Sequence, residues 1–152
     1  TVTRAFLPDM IAQKSGQIIN IASIASYMAT SKTTAYAATK FAVRGFTEVL
    51  RQELAKTSVS VTCVHPGGIK TNIVRNIDTQ QTARLNKFSE IFDRMAKTSA
   101  ADAAKRIIKG IERKETRVLI GKDARYMDSI ARLMPGNYED TIMKGYDIEK
   151  FQ

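Results

Sequence analysis

Three short β-branched runs, "QIINIAS" (17–23), "VSVTCV" (59–64) and "TRVLIG" (116–121), are separated by much longer stretches of helical periodicity. That order leaves few solutions, because strands divided by helix-length crossovers pair in parallel, with the helices packed on the sheet. The runs are largely apolar, as strands covered on both faces require. The expected fold class is α/β, with about three parallel strands and flanking helices.

The helical stretches carry their own signals. Residues 2–13 pair Phe6 with Met10 and Leu7 with Ile11 at i, i+4, with Pro8 marking a kink or boundary and Gly16 suited to the turn that ends the helix. Residues 34–56 place Val43, Phe46, Leu50 and Leu54 on one continuous apolar face. Segment 73–97 is polar with a stripe of Phe88, Ile91, Phe92 and Met95, the pattern of a further helix or a lid. Ser99 followed by Asp102 reads as a helix cap, ahead of a core stripe of Ala103, Ala104, Ile107, Ile108 and Ile111. The tail is amphipathic, with Tyr126, Met127, Ile130, Leu133 and Met134 before "PG", then Tyr138, Ile142 and Met143.

Composition narrows the chemistry. One cysteine, Cys63, excludes an internal disulfide and a cysteine-cluster metal site, and is expected as a small residue in a buried strand. One histidine, His65, excludes a multi-histidine metal site; ahead of "PGG" it is expected in a structural or loop role. No metal is expected. The net charge of +9 raises a nucleic-acid partner, but the basic residues are scattered singly along helices, so a solvated surface is preferred. No apolar run reaches the length of a membrane span. The expected location is cytoplasmic.

"TAYAATKFAV" (34–43) sets Tyr36 and Lys40 one helical turn apart. Chance alone produces such pairs in a lysine-rich chain, and Tyr146 with Lys150 is a second one. Context separates them. Tyr36 opens a helix that follows a strand ending at Ser23, and in an open α/β sheet ligands bind outside the carboxyl ends of the strands. No strand end precedes Tyr146. An ammonium beside a phenol favours the phenolate, which can then exchange a proton with an alcohol or carbonyl. A serine hydroxyl at the strand's end would hold the substrate oxygen beside it. None of these groups accepts hydride, so a redox cofactor must supply that half of the reaction.

The order "GQIINIAS", "YAATK", "VTCVHPGGIKTNI" resembles the short-chain dehydrogenase/reductase family over residues 1–76, and more loosely to about 121. The resemblance implies a partial Rossmann-type doubly wound sheet, NAD or NADP as cofactor, and catalytic roles for Ser23, Tyr36 and Lys40. It implies that Ser23 and Tyr36 contact substrate, that Tyr36 and Lys40 also lie at the cofactor, and that Pro66, Gly67, Ile69 and Thr71 form the loop holding the nicotinamide carboxamide. By the same resemblance, helices 2–13 and 34–56 mediate a homodimer or homotetramer.

The departures from the family pattern carry expectations of their own. No G-x-G-x-x-G or T-G-x-x-x-G-x-G loop occurs, nor the family's active-site asparagine, and the chain opens on Thr1 directly into helix-forming sequence. The expectation is the C-terminal half of a longer enzyme, with 1–121 as part of the Rossmann-type domain and 122–152 as its helical extension. Alone, it should bind dinucleotide poorly. The expected substrate is a lipophilic alcohol or carbonyl, with the tail packing on the core, capping a pocket, contacting a partner subunit or approaching a membrane surface. A non-catalytic binding or scaffold protein of the same family is the alternative, and a basic nucleic-acid-binding module the third reading.

Overall fold

A computed structural model describes residues 2–31, 33–76, 89–90, 92–94 and 96–146. Helix α1 (Val2–Ala12) leads into β1 (Gly16–Ile21), a 3-10 turn (Ile24–Ser26) and the long α2 (Thr34–Glu53). Strand β2 (Val59–Pro66) is followed by two short strands, β3 (Ile69–Lys70) and β4 (Thr98–Ser99), then α3 (Ala100–Glu112), β5 (Arg117–Ile120), α4 (Lys122–Leu133) and α5 (Tyr138–Tyr146). The main sheet has the order β1-β2-β5, with both pairings parallel. The sequence expectation of a three-stranded parallel sheet with helical crossovers is met.

The register puts Ile18 opposite Val61 and Ile21 opposite Val64, so β1 and β2 end side by side at one edge of the sheet. Two apolar layers grip the sheet. Leu50 and Leu54 of α2 pack with Ile18, Val59 and Val61, flanked by Leu7 and Met10 of α1. On the opposite face Val64, Val118 and Ile120 pack with Ala103 of α3. Central β2 is covered on both faces; edge strand β1 is only partly covered, and its Ile21 is 48% exposed. Val118 has no exposed surface, and a Cβ on Gly110 would collide with its Cγ2, so α3 rides directly on β5. Val118→Ala is expected to cost about 2 kcal/mol of unfolding free energy, read from urea midpoints, because so close a packing cannot collapse onto the hole.

Several sequence boundaries move. Strand β1 stops at Ile21, because Ser23 turns aside and its Oγ accepts the Ala25 N–H at 3.1 Å, capping the 3-10 turn. Strand β2 runs past 64 through His65 and Pro66, since its other neighbour, β5, continues to pair with it. Helix α1 passes through Pro8 unbroken. Its exit turn is taken by Lys14 at φ 54°, while Gly16 begins β1, where a Cβ would stand 2.7 Å from Met10 Cγ. Gly16 therefore serves close packing rather than the turn.

The apolar stripes are narrower than the periodicity implied. Phe6 and Ile11 are exposed and α1 packs through Leu7 and Met10; Phe46 is exposed on α2. On α3, Ala103, Ile107 and Gly110 face inward while Ala104 and Ile108 face out. The Ser99 cap is present, its Oγ accepting the Asp102 N–H at 3.0 Å. In the tail, Met127, Ile130, Tyr138 and Ile142 pack around Met28 and Ile24, the core packing that was one of the sequence alternatives. Phe88, Ile91, Met95 and Lys150 lie outside the described residues, as does the side chain of Met143. No helix among the described residues is long and apolar enough to cross a membrane.

Candidate active site

The parallel register decides which residues share an edge. Ser23 follows the end of β1, and the connection carrying Pro66, Gly67, Ile69 and Thr71 begins at the end of neighbouring β2. Tyr36 lies in the first turn of α2 and is 51% exposed. Lys40 stands one turn on, its Nζ 5.7 Å from the Tyr36 ring centroid. The same Nζ donates to the Ile21 carbonyl at 3.3 Å, tying α2 to the last residue of β1. Tyr36 and Lys40 are thus brought together, and Lys40 is anchored two residues before Ser23.

Ser23 is buried. Its Oγ accepts from Ala25 N–H within its own turn, which leaves the hydroxyl proton free to be donated. Its carbonyl is held firmly: Ser26 Oγ donates to it at 2.6 Å, and His65 Nδ1 lies 3.3 Å away. A carbonyl can only accept, so His65 carries its proton on Nδ1, which also reaches Ser26 Oγ at 2.9 Å. Nε2 is left to accept from the Tyr27 hydroxyl at 3.5 Å. Burial, with the nearby Arg117 and Arg44 guanidiniums in support, pushes the His65 pKa down to about 4 against the pull of the Ser23 carbonyl, so the ring is neutral at neutral pH. The histidine lies inside β2 and not in the loop; the structural role anticipated for it is to clamp the turn that carries Ser23.

Tyr27 seals that turn from outside. Arg44, Arg117 and Arg132 place their guanidinium carbons 3.9, 4.8 and 5.2 Å from its ring centroid. Arg44 also donates to the Ser26 carbonyl at 3.1 Å, and Asp128 pairs with both Arg117 and Arg132. Nothing in the periodicity pointed to this cluster. Cys63, buried in β2, takes the small core position expected, and burial pushes its thiol pKa up.

The loop after β2 is fastened on both sides. Gly67 N–H donates to the Ile120 carbonyl at 2.9 Å, and Gly68 N–H to Asp123 Oδ2 at 2.6 Å. Ile69 and Lys70 pair with Thr98 and Ser99. Thr71 beyond them is exposed. Asp123 was invisible to the sequence reading; only its place two residues after the glycine that ends "TRVLIG" could have drawn attention to it.

Residues 1–82 match the family described as short chain dehydrogenase. The putative oxidoreductase SadH of Mycobacterium tuberculosis is 45% identical over 146 residues, covering 94% of this chain and 53% of the relative. Estradiol 17-beta-dehydrogenase 2 of Rattus norvegicus is 40% identical over 96 residues, covering 63% of this chain and 24% of the relative. Among solved structures, a short chain dehydrogenase/reductase from Burkholderia phymatum in complex with NAD superposes with a TM-score of 0.75 at 22% identity, covering 90% of this chain and 54% of that one. That likeness concerns the fold alone. The chain spans about half the length of the curated relative SadH, and three solved structures to which it is similar are complexes with NAD, NADP and NADPH.

Proposed function

This chain belongs to the short chain dehydrogenase family, and from that premise we propose that the protein containing it is an NAD(P)-dependent oxidoreductase that interconverts an alcohol and a carbonyl. The observation that carries the reading is the exposed Tyr36 phenol with the Lys40 ammonium beside it, fastened to the end of β1. Tyr36 is the proton donor and acceptor for the substrate oxygen. Ser23 donates its free hydroxyl proton to the same oxygen, and Lys40 offers N–H donors to the ribose hydroxyls. The nicotinamide, when bound, accepts or supplies the hydride.

The residues present fit the nicotinamide end of the cofactor. Thr71 is exposed at the loop's end, and the Pro66–Gly67 turn and Ile69 hold that loop between β2 and β4. The 152 residues contain no glycine-rich phosphate loop, so the rest of the dinucleotide needs partners from elsewhere in the protein. We therefore assign residues 1–121 to the Rossmann-type domain and 122–152 to its C-terminal extension, and expect this chain alone to bind NAD(H) or NADP(H) far more weakly than the full-length protein in calorimetric titration. Equal affinity would reject the need for cofactor partners outside these residues.

The substrate is proposed to be lipophilic. The likeness to a dehydrogenase named for a steroid supports this. Turnover of the full-length protein, followed by reduced-nicotinamide absorbance, is expected to be faster on steroid, retinoid or acyl-chain substrates than on sugars. The reverse ranking rejects the substrate class, and no nicotinamide-linked reaction with any of them rejects the function. Exposed Phe6, Phe41, Phe46 and Val49 on α1 and α2 support a homodimer or homotetramer through these helices.

A further inference from the structure

We propose that Asp123, at the start of α4, is a positioning residue for the cofactor loop; the inference rests on the proposed role of Pro66–Thr71. The loop's second glycine presents a backbone N–H that the β2–β5 ladder no longer reaches. The ladder ends where Gly67 N–H meets the Ile120 carbonyl, so Gly68 N–H needs another acceptor. Asp123 supplies it through Oδ2 at 2.6 Å, from a position 55 residues later in the chain. A charged acceptor makes this a stronger bond than an amide–carbonyl pair.

The surroundings are shaped to let the carboxylate in. A Cβ on Gly67 would collide with Asp123 Oδ2, and one on Gly121 with Oδ1. Gly121 also holds φ 101°, a conformation that side-chain-bearing residues avoid, and this turns β5 directly into α4. Two glycines, one on the loop and one at the strand end, thus leave space that a single carboxylate fills. A Cβ on Gly68 would stand 3.0 Å from Ala96 Cα, so the loop is also backed from the side of β4. Asp123 lies in the first turn of α4, where a negative charge is favoured. The loop is therefore held from both ends of its short run: β3 on β4 fixes Ile69 and Lys70, and Asp123 fixes Gly68. A loop held in one conformation loses less freedom on binding its ligand. The effect belongs to cofactor affinity rather than to the proton-transfer step.

The test uses the full-length protein with Asp123→Ala and Asp123→Asn; the asparagine retains an oxygen for Gly68 N–H. Asp123→Ala is expected to weaken NAD(P)H binding about tenfold and to raise the cofactor KM with it, while kcat at saturating cofactor stays within about twofold. Amide exchange at Gly68 in the cofactor-free protein should accelerate about tenfold in Asp123→Ala and remain near wild type in Asp123→Asn. Exchange in β2 and α2 reports whether the fold is intact. Wild-type affinity and wild-type Gly68 exchange in Asp123→Ala overturn the proposal, as does a loss confined to kcat. A wild-type protein that binds no nicotinamide cofactor instead overturns the functional reading on which it rests.

Discussion

Tyr36→Phe in the full-length protein is expected to lower kcat about 10²–10⁴-fold, with nicotinamide binding close to wild type. The substitution removes one hydroxyl and keeps the ring that faces Lys40 Nζ. Because Tyr36 is half exposed and makes no side-chain hydrogen bond among the described residues, the unfolding midpoint should not move. This separates chemistry from folding: a variant that is stable, binds cofactor and does not turn over has lost only its proton carrier. Lys40→Met in the same background should weaken cofactor binding as well, since the proposed ribose contact goes with the ammonium. Unchanged turnover in Tyr36→Phe would remove the phenol from the reaction and refute the proposed mechanism.

Acidification is expected to destabilise the fold through His65, and the sign follows from its buried neutral ring. In the unfolded chain a histidine titrates near 6.5, whereas in the fold burial pushes His65 down to about 4. Between those values the unfolded state binds the extra proton and the folded state does not, so stability rises with pH across the window. The contribution is complete above pH 6.5 and is lost progressively as the pH falls toward 4, about 3 kcal/mol in all. Urea unfolding at pH 7 and pH 5 should differ by about 2 kcal/mol from this ring alone. His65→Gln should flatten that slope, at the cost of lower stability at pH 7 because the Ser26 and Ser23 contacts weaken. A slope unchanged in His65→Gln would show that other groups carry it.

The sheet was legible because its strands are short, β-branched and bounded by turn residues, signals that need no knowledge of what packs on them. The Ser99 cap was legible for the same reason: Ser99 Oγ and the Asp102 N–H lie within one turn of each other. The width of an apolar stripe is a different matter. Ile107 and Ile108 are equally apolar, and only the closeness of α3 to β5 at Gly110 decides that Ile107 turns inward and Ile108 out. Phe46 repeats in phase with Leu50 on α2 yet is exposed and takes no part in the cluster that Leu50 joins. At the candidate site, Ser23, Tyr36 and Lys40 could be proposed because local order and spacing single them out. Asp123 and the Tyr27 cluster could not, since each depends on elements far apart in sequence: Asp123 reaches Gly68, and Arg117 and Arg132 reach Tyr27. Long-range polar contacts leave no periodic trace.

The strand order also has a kinetic consequence. Central β2 joins β1, which precedes it, and β5, whose Arg117 must find Cys63 across the whole intervening crossover. During synthesis one flank of β2 can dock early, while the other waits for a segment made much later. Closing so long a loop costs entropy before any contact rewards it, which slows the search. Nascent chains should accordingly pass through a half-assembled stage in which β2 has a bare side, and chaperone capture is expected there rather than after β5 has arrived.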